Sequence, residues 1–104
     1  MTLIVTAKSG LSIRLTEERW QHIKEGHPEL AELQSEVLKT IEDPDRILAG
    51  NQNELLAVKL LKTSNKYLVA IYKELDNDGF IITAYLTRRI NSLNKMEILW
   101  SKQR

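Results

Sequence analysis

Cysteine is missing from this chain altogether, which removes disulfide frameworks, thiolate zinc sites and cysteine nucleophiles from consideration. No stretch of 18 consecutive apolar residues occurs, so a membrane-spanning helix is not expected. The opening MTLIVTAKSG has no long apolar run behind a basic segment, unlike a secretory leader, and the expectation is a cytoplasmic protein. Glycine and proline are scarce, at four and two residues, and no internal repeat, low-complexity tract or interdomain linker is visible. What is present is ordinary for a soluble globular protein. The 104 residues are 42% apolar and 28% charged, enough for one hydrophobic core and a single domain over residues 1–104. Chemistry has to come from histidine, lysine, arginine, tyrosine, serine, threonine or carboxylates.

Net charge is only +1, but its distribution is uneven. Between Glu17 and Asp45, nine acids stand against Arg19, Lys24 and Lys39, a net −6. Between Tyr85 and Arg104, five bases face Glu97 alone, a net +4, and Glu54 to Lys73 adds +3. An acidic first half and a basic second half fit a surface that meets phosphate, although such runs also occur as plain solvated surface.

Leu3–Ala7 and Leu11–Leu15 are short β-type runs separated by the turn residues Lys8-Ser9-Gly10. Thr16 is placed to cap a helix whose first turn holds Glu17 and Glu18, with Leu15 and Trp20 as a hydrophobic staple. Gly26 is the expected left-handed terminus, and Pro28 the expected start of the next helix. There Leu30, Leu33, Val37, Leu38 and Ile41 form one apolar stripe at helical period, ending at Asp43-Pro44-Asp45. The period then changes to two in Glu54–Lys62, Tyr67–Glu74 and Phe80–Arg88, joined by hairpin-length linkers, with shorter strands at Arg46–Gly50 and Glu97–Trp100. The fold class is therefore α+β: two N-terminal helices packed on one face of a four- to five-stranded antiparallel sheet. Alternation suggests that Leu56, Val58, Leu60, Tyr67, Val69, Ile71, Phe80, Ile82, Ala84 and Leu86 face the helices. Lys59, Tyr72, Thr83, Tyr85 and Thr87 then share the opposite, partly polar face.

Both histidines lie in HIKEGHPEL, His22 and His27. They are five apart with a glycine between, whereas helical zinc pairs sit four apart, so no metal site is expected. With Trp20 as the core direction, His22 points about 160° away, outward beside Arg19. His27 lies past the cap, where it serves either as a helix-terminal histidine or as a group turned toward the sheet. The second cluster is Thr83-Ala84-Tyr85-Leu86-Thr87-Arg88-Arg89. The hydroxyls of Thr83 and Thr87 share a strand face ahead of two guanidinium groups, which suits a phosphate, although on structure alone a half-buried strand end with solvated charges is the commoner reading.

In order, LTEERWQHIKEGHPEL, VLKTIEDPDRI, LLAVKLL, YLVAIYKE, GFIITAYLTRRI and the closing ILW resemble the phage-associated nuclease-like domains grouped with barnase, EndoU, the tRNA-cutting colicins and RelE-type toxins. The resemblance runs from Leu11 to Trp100. It implies two helices followed by a four-stranded antiparallel sheet. It also implies cleavage of RNA without metal or other cofactor, the 2′-OH attacking the adjacent phosphate to leave a 2′,3′-cyclic end. His27 matches the family's His-Pro element, with His22 in the same helix-borne motif; Lys59 matches a basic strand position, and Thr83, Thr87 and Arg88 match the polar end of TAYLTR. Gly26 departs from the pattern, standing where an arginine often precedes His-Pro.

Transesterification of RNA needs a base, an acid and cationic donors for the phosphorane, roles that His27, Lys59, Thr87, Arg88 and His22 can fill. Tyr72 or Tyr85 could stack a base, with Thr83, Arg89 and Arg19 as further substrate contacts. The expectation is a small endoribonuclease of toxin type or linked to phage, acting on RNA and admitting a cognate antitoxin protein as partner. The alternative is a non-catalytic RNA- or protein-binding module on the same fold.

Overall fold

A computed structural model describes residues 1–102; Arg104, counted above in the basic segment, lies outside them. The chain order is β1 (Leu3–Thr6), β2 (Ser12–Leu15), α1 (Glu17–Gly26), a 3₁₀ turn (Pro28–Leu30), α2 (Gln34–Glu42), β3 (Arg46–Ala49), β4 (Leu55–Leu61), β5 (Lys66–Glu74), β6 (Asp78–Thr87), α3 (Asn91–Asn94) and β7 (Ile98–Ser101).

Local chemistry accounts for most of these boundaries. Gly10 takes φ +93° in the β1–β2 turn, a region open to glycine at little cost, and its N–H donates to the Ala7 carbonyl at 2.9 Å. The Thr16 hydroxyl accepts from the Arg19 N–H at 3.1 Å and starts α1, while the stapling pair Leu15 and Trp20 is buried. The end of α1 differs from expectation. Gly26 remains helical and takes no positive φ; His27 is the cap, at φ −136° and ψ 74°, with its N–H on the Ile23 carbonyl at 2.8 Å. Pro28 supplies the reason, because its ring excludes the residue before it from helical geometry. Pro28 also opens only the 3₁₀ turn, and α2 begins later, at Gln34.

The sheet has seven strands in the order β1-β2-β6-β5-β4-β3-β7. This corrects the expected four- to five-stranded antiparallel sheet. The N-terminal hairpin joins it, β2 pairs in parallel with β6 through Ser12–Arg14 against Asp78–Phe80, and β7 adds an edge against β3. A third helix, α3, also forms. The α+β class holds, with α1 over β6 and α2 over β4 and β5. The connection from β2 to β6 leaves the sheet for both helices and returns through three strands, a long-range pairing that no local pattern announces.

The expected assignment of faces is inverted on β4 and β5. Ala57, Leu68, Ala70 and Tyr72 pack in the core with Trp20, Ile23, Val37 and Ile41, whereas Leu56, Val58 and Val69 pack on the other side with Leu48 and Leu93. Both faces are apolar, so alternation alone could not tell which one the helices cover. Along β6 a bulge splits the pattern: Tyr72 pairs with Ile81 but Ile71 with Thr83, leaving Ile82 as an extra residue. Ile81, Ala84 and Leu86 therefore lie on the helix side, together with Ala57 and Ala70. Ala57, Ala70 and Ala84 form one cross-strand row, each fully buried, and their small side chains let the helices approach the sheet closely.

Candidate functional site

β2 pairs with β6 only as far as Phe80, so among the described residues the second half of β6 has no strand partner on that side. The end of α1 and the 3₁₀ turn lie along this free edge. They bring the His27 ring to 6.2 Å, centroid to centroid, from the Tyr85 ring, tilted by 34°. His27 is half-buried, and its Nδ1 is 3.5 Å from Glu29 Oε2. That contact favours the Nδ1–H form of the neutral ring and leaves Nε2 as the nitrogen able to accept a proton. Glu29 was not singled out in the sequence; its spacing of two from His27 across Pro28 was the available signal.

Tyr85 pairs with Val69 and so projects, with Thr83 and Thr87, from the face away from α1 and α2. Burial raises its phenol above the ordinary tyrosine range, keeping it a neutral O–H donor at physiological pH. Beyond the strand, Thr87 Oγ1 accepts from the Arg89 N–H at 2.9 Å and donates to the Arg89 carbonyl at 3.2 Å. This closes a small loop that turns Arg88 and Arg89 outward. Both are exposed, and among the described residues neither pairs with a carboxylate. With Asn91, Ser92 and Lys95 they line an open groove of about 700 Å³.

Other expected site residues lie elsewhere. Lys59 is on β4, two strands from β6, and pairs with Leu68 on the helix-packed face. Its Nζ donates to the Asp43 carbonyl at 2.9 Å and lies 3.6 Å from Asp43 Oδ2, closing the C-terminal end of α2. The structure therefore does not bring Lys59 to His27, contrary to expectation. Tyr72 is only 1% exposed, in the core, and has no open ring face for a base at the His27 edge. His22 and Arg19 are exposed along α1, and the hydrogen bond at Arg19 is that of its backbone N–H to the capping Thr16 hydroxyl. Among the described residues, no three histidine, aspartate or glutamate side chains gather as a metal site would require.

No curated protein and no solved structure matches the chain. A protein-family model does, across residues 2–101. That span takes in the His27 turn, the Tyr85 strand and the basic groove together, and the chain belongs to the phage-Barnase-EndoU-ColicinE5/D-RelE like nuclease2 family.

Proposed function

We propose that the protein is a metal-independent endoribonuclease, of toxin type or linked to phage, that cleaves single-stranded RNA at the His27 edge of β6. The observation that carries this is the meeting of His27 with Tyr85 ahead of arginines that no carboxylate neutralises among the described residues, in a chain of a nuclease family. Nucleic acid is the substrate class that such a family implies.

In this reading His27 Nε2 takes the proton of the ribose 2′-OH as O2′ bonds to phosphorus. The P–O5′ bond breaks, its electron pair leaves with O5′, and O5′ gains a proton from solvent, which recovers one from His27. The net result is a 2′,3′-cyclic phosphate and a free 5′-hydroxyl. Tyr85 donates its O–H toward the phosphorane, Thr87 holds the turn that presents Arg88, and Arg88 offers a planar cationic fork. Thr83 lies further along the same strand face, and Arg89 and Lys95 continue the cationic path for a neighbouring phosphate.

Incubation with single-stranded RNA in EDTA tests this. Fragments ending in cyclic phosphate are expected from the wild type and not from His27→Ala; RNA left intact by excess wild-type protein would overturn it. One feature favours a non-catalytic RNA-binding reading: a side chain at Gly26 would meet open space, yet no cation stands there beside His27. RNA affinity with a steep salt slope and no cleavage would select that alternative.

A further inference from the structure

On the far side of the sheet from the Arg88 groove, the β1–β2 turn crosses toward β7 and borders an open cleft of about 260 Å³. Its walls are mainly apolar, with Ile47, Leu55, Leu99 and Trp100 around the ring of Tyr72. The rest of Tyr72 is buried, yet its hydroxyl takes part in none of the hydrogen bonds among the described residues. Among the described residues no side-chain polar atom is left both enclosed and unpaired, so this hydroxyl opens into the cleft. Glu74 stands beside it, held by a hydrogen bond from Ser9 Oγ, and its charge adds to the burial that raises the phenol's pKa. The neutral phenol is a donor and the carboxylate an acceptor, both at the wall of an apolar slot.

The mouth of the slot is cationic. Lys8 Nζ lies 5.3 Å from the centre of the Trp100 ring and 3.9 Å from Asp43 Oδ1. Lys102 Nζ lies 3.1 Å from the same oxygen, and Lys59 pairs with the other one. Three ammonium groups thus share one carboxylate, and the cluster keeps an excess of positive charge next to a ring-sized apolar space. A planar heteroaromatic ring carrying a phosphate matches both halves. We propose that this cleft binds a nucleoside 5′-monophosphate, its base lying against Trp100 with one edge at the Tyr72 hydroxyl and its phosphate on Lys8 and Lys102. The slot satisfies a base edge through one donor and one acceptor, while the indole supplies stacking area. This site is separate from the His27 edge and does not depend on RNA cleavage there.

Calorimetric titration of the full chain with AMP, GMP, CMP and UMP tests it, with adenosine and ribose 5-phosphate as partial ligands. At least one nucleotide should saturate a single site, about tenfold more tightly than either partial ligand, since each half loses the other's contacts. Tyr72→Phe, which removes one hydroxyl and keeps the ring, should weaken it about fivefold, the worth of one neutral hydrogen bond. Lys8→Met, on an exposed turn, should weaken it by a similar factor and keeps the test open if Tyr72→Phe does not fold. His27→Ala should bind nucleotide as the wild type does. Absence of saturable binding by all four nucleotides would overturn the proposal, as would ribose 5-phosphate binding as tightly as they do, or both variants binding like the wild type. Nucleotide binding by a wild-type protein that cleaves no RNA would sink the nuclease reading and leave this one standing.

Discussion

Two groups of cations sit at opposite sides of the sheet, and their circumstances differ. Lys8, Lys59 and Lys102 converge on Asp43, which holds them and whose own carboxyl they keep below the usual carboxylate range, Lys102 most of all. Arg88 and Arg89 follow a strand end, are turned outward by the Thr87 hydroxyl, and meet no carboxylate among the described residues. The first group shares one counter-charge among three ammonium groups, so only part of its charge is left for another anion; the second brings its full charge to an incoming phosphate. A positive count in the sequence is the same in both cases. The difference lies in whether the fold supplies a counter-charge, and here it does so for the strand-borne lysine that resembled a catalytic group.

The contrast can be broken in order of expected effect. Loss of the imidazole beside the free arginines, in His27→Ala, should reduce RNA cleavage about 10³-fold at unchanged thermal stability, as for removal of a general acid–base group. Arg88→Ala should lower cleavage about 10²-fold and flatten the salt dependence of RNA binding by roughly one phosphate contact. Lys59→Met carries the opposite expectation. It should cost about 0.5–1.5 kcal/mol in urea unfolding through the lost bond to the Asp43 carbonyl, while cleavage stays within about twofold of the wild type. A loss of about 10²-fold there would erase the distinction between the two groups.

The smallest effect is a pH dependence. Asp43 is depressed in the folded state, so its ion pairs contribute stability above the unfolded carboxyl value near 4, and that contribution is lost as pH falls through the lower folded value. Lys102→Met should therefore shrink the fall in melting temperature between about pH 5 and pH 2, with little change near neutrality. An unchanged acid limb would mean that Lys102 is not the partner that matters.

Much of the local structure could be read from residue types alone. Thr16 with Glu17 and Glu18, the staple of Leu15 on Trp20, and the change of period after Asp45 mark elements that the fold contains within a residue or two. Those signals are legible because they are short-range: a cap or a turn is decided by neighbours in the chain. The parallel pairing of β2 with β6, the choice of face for β4 and β5, and the capture of Lys59 by Asp43 are decided by residues far apart in sequence. Alternation gives two equal answers when both faces of a strand are apolar, as at Leu55-Leu56-Ala57-Val58. The site follows the same division. His27 and the Thr83–Arg89 strand end were visible as chemistry, but Glu29 beside the imidazole and the Lys8–Trp100 mouth appear only once the chain is folded.

Ile82, the unpaired residue of β6, makes that dependence concrete. It resets the phase of the strand, so Ile81 and Ala84 can both feed the interior while Tyr85 emerges beside His27. Removing this one isoleucine would make Ile81 and Thr83 successive rungs of a regular ladder, so Thr83, Tyr85 and Thr87 would keep their face and the strand would lose only the local bend and added twist of the bulge. The bulge comes just past Phe80, where the pairing with β2 ends, so its bend sets the angle at which the free part of β6 runs toward the His27 turn.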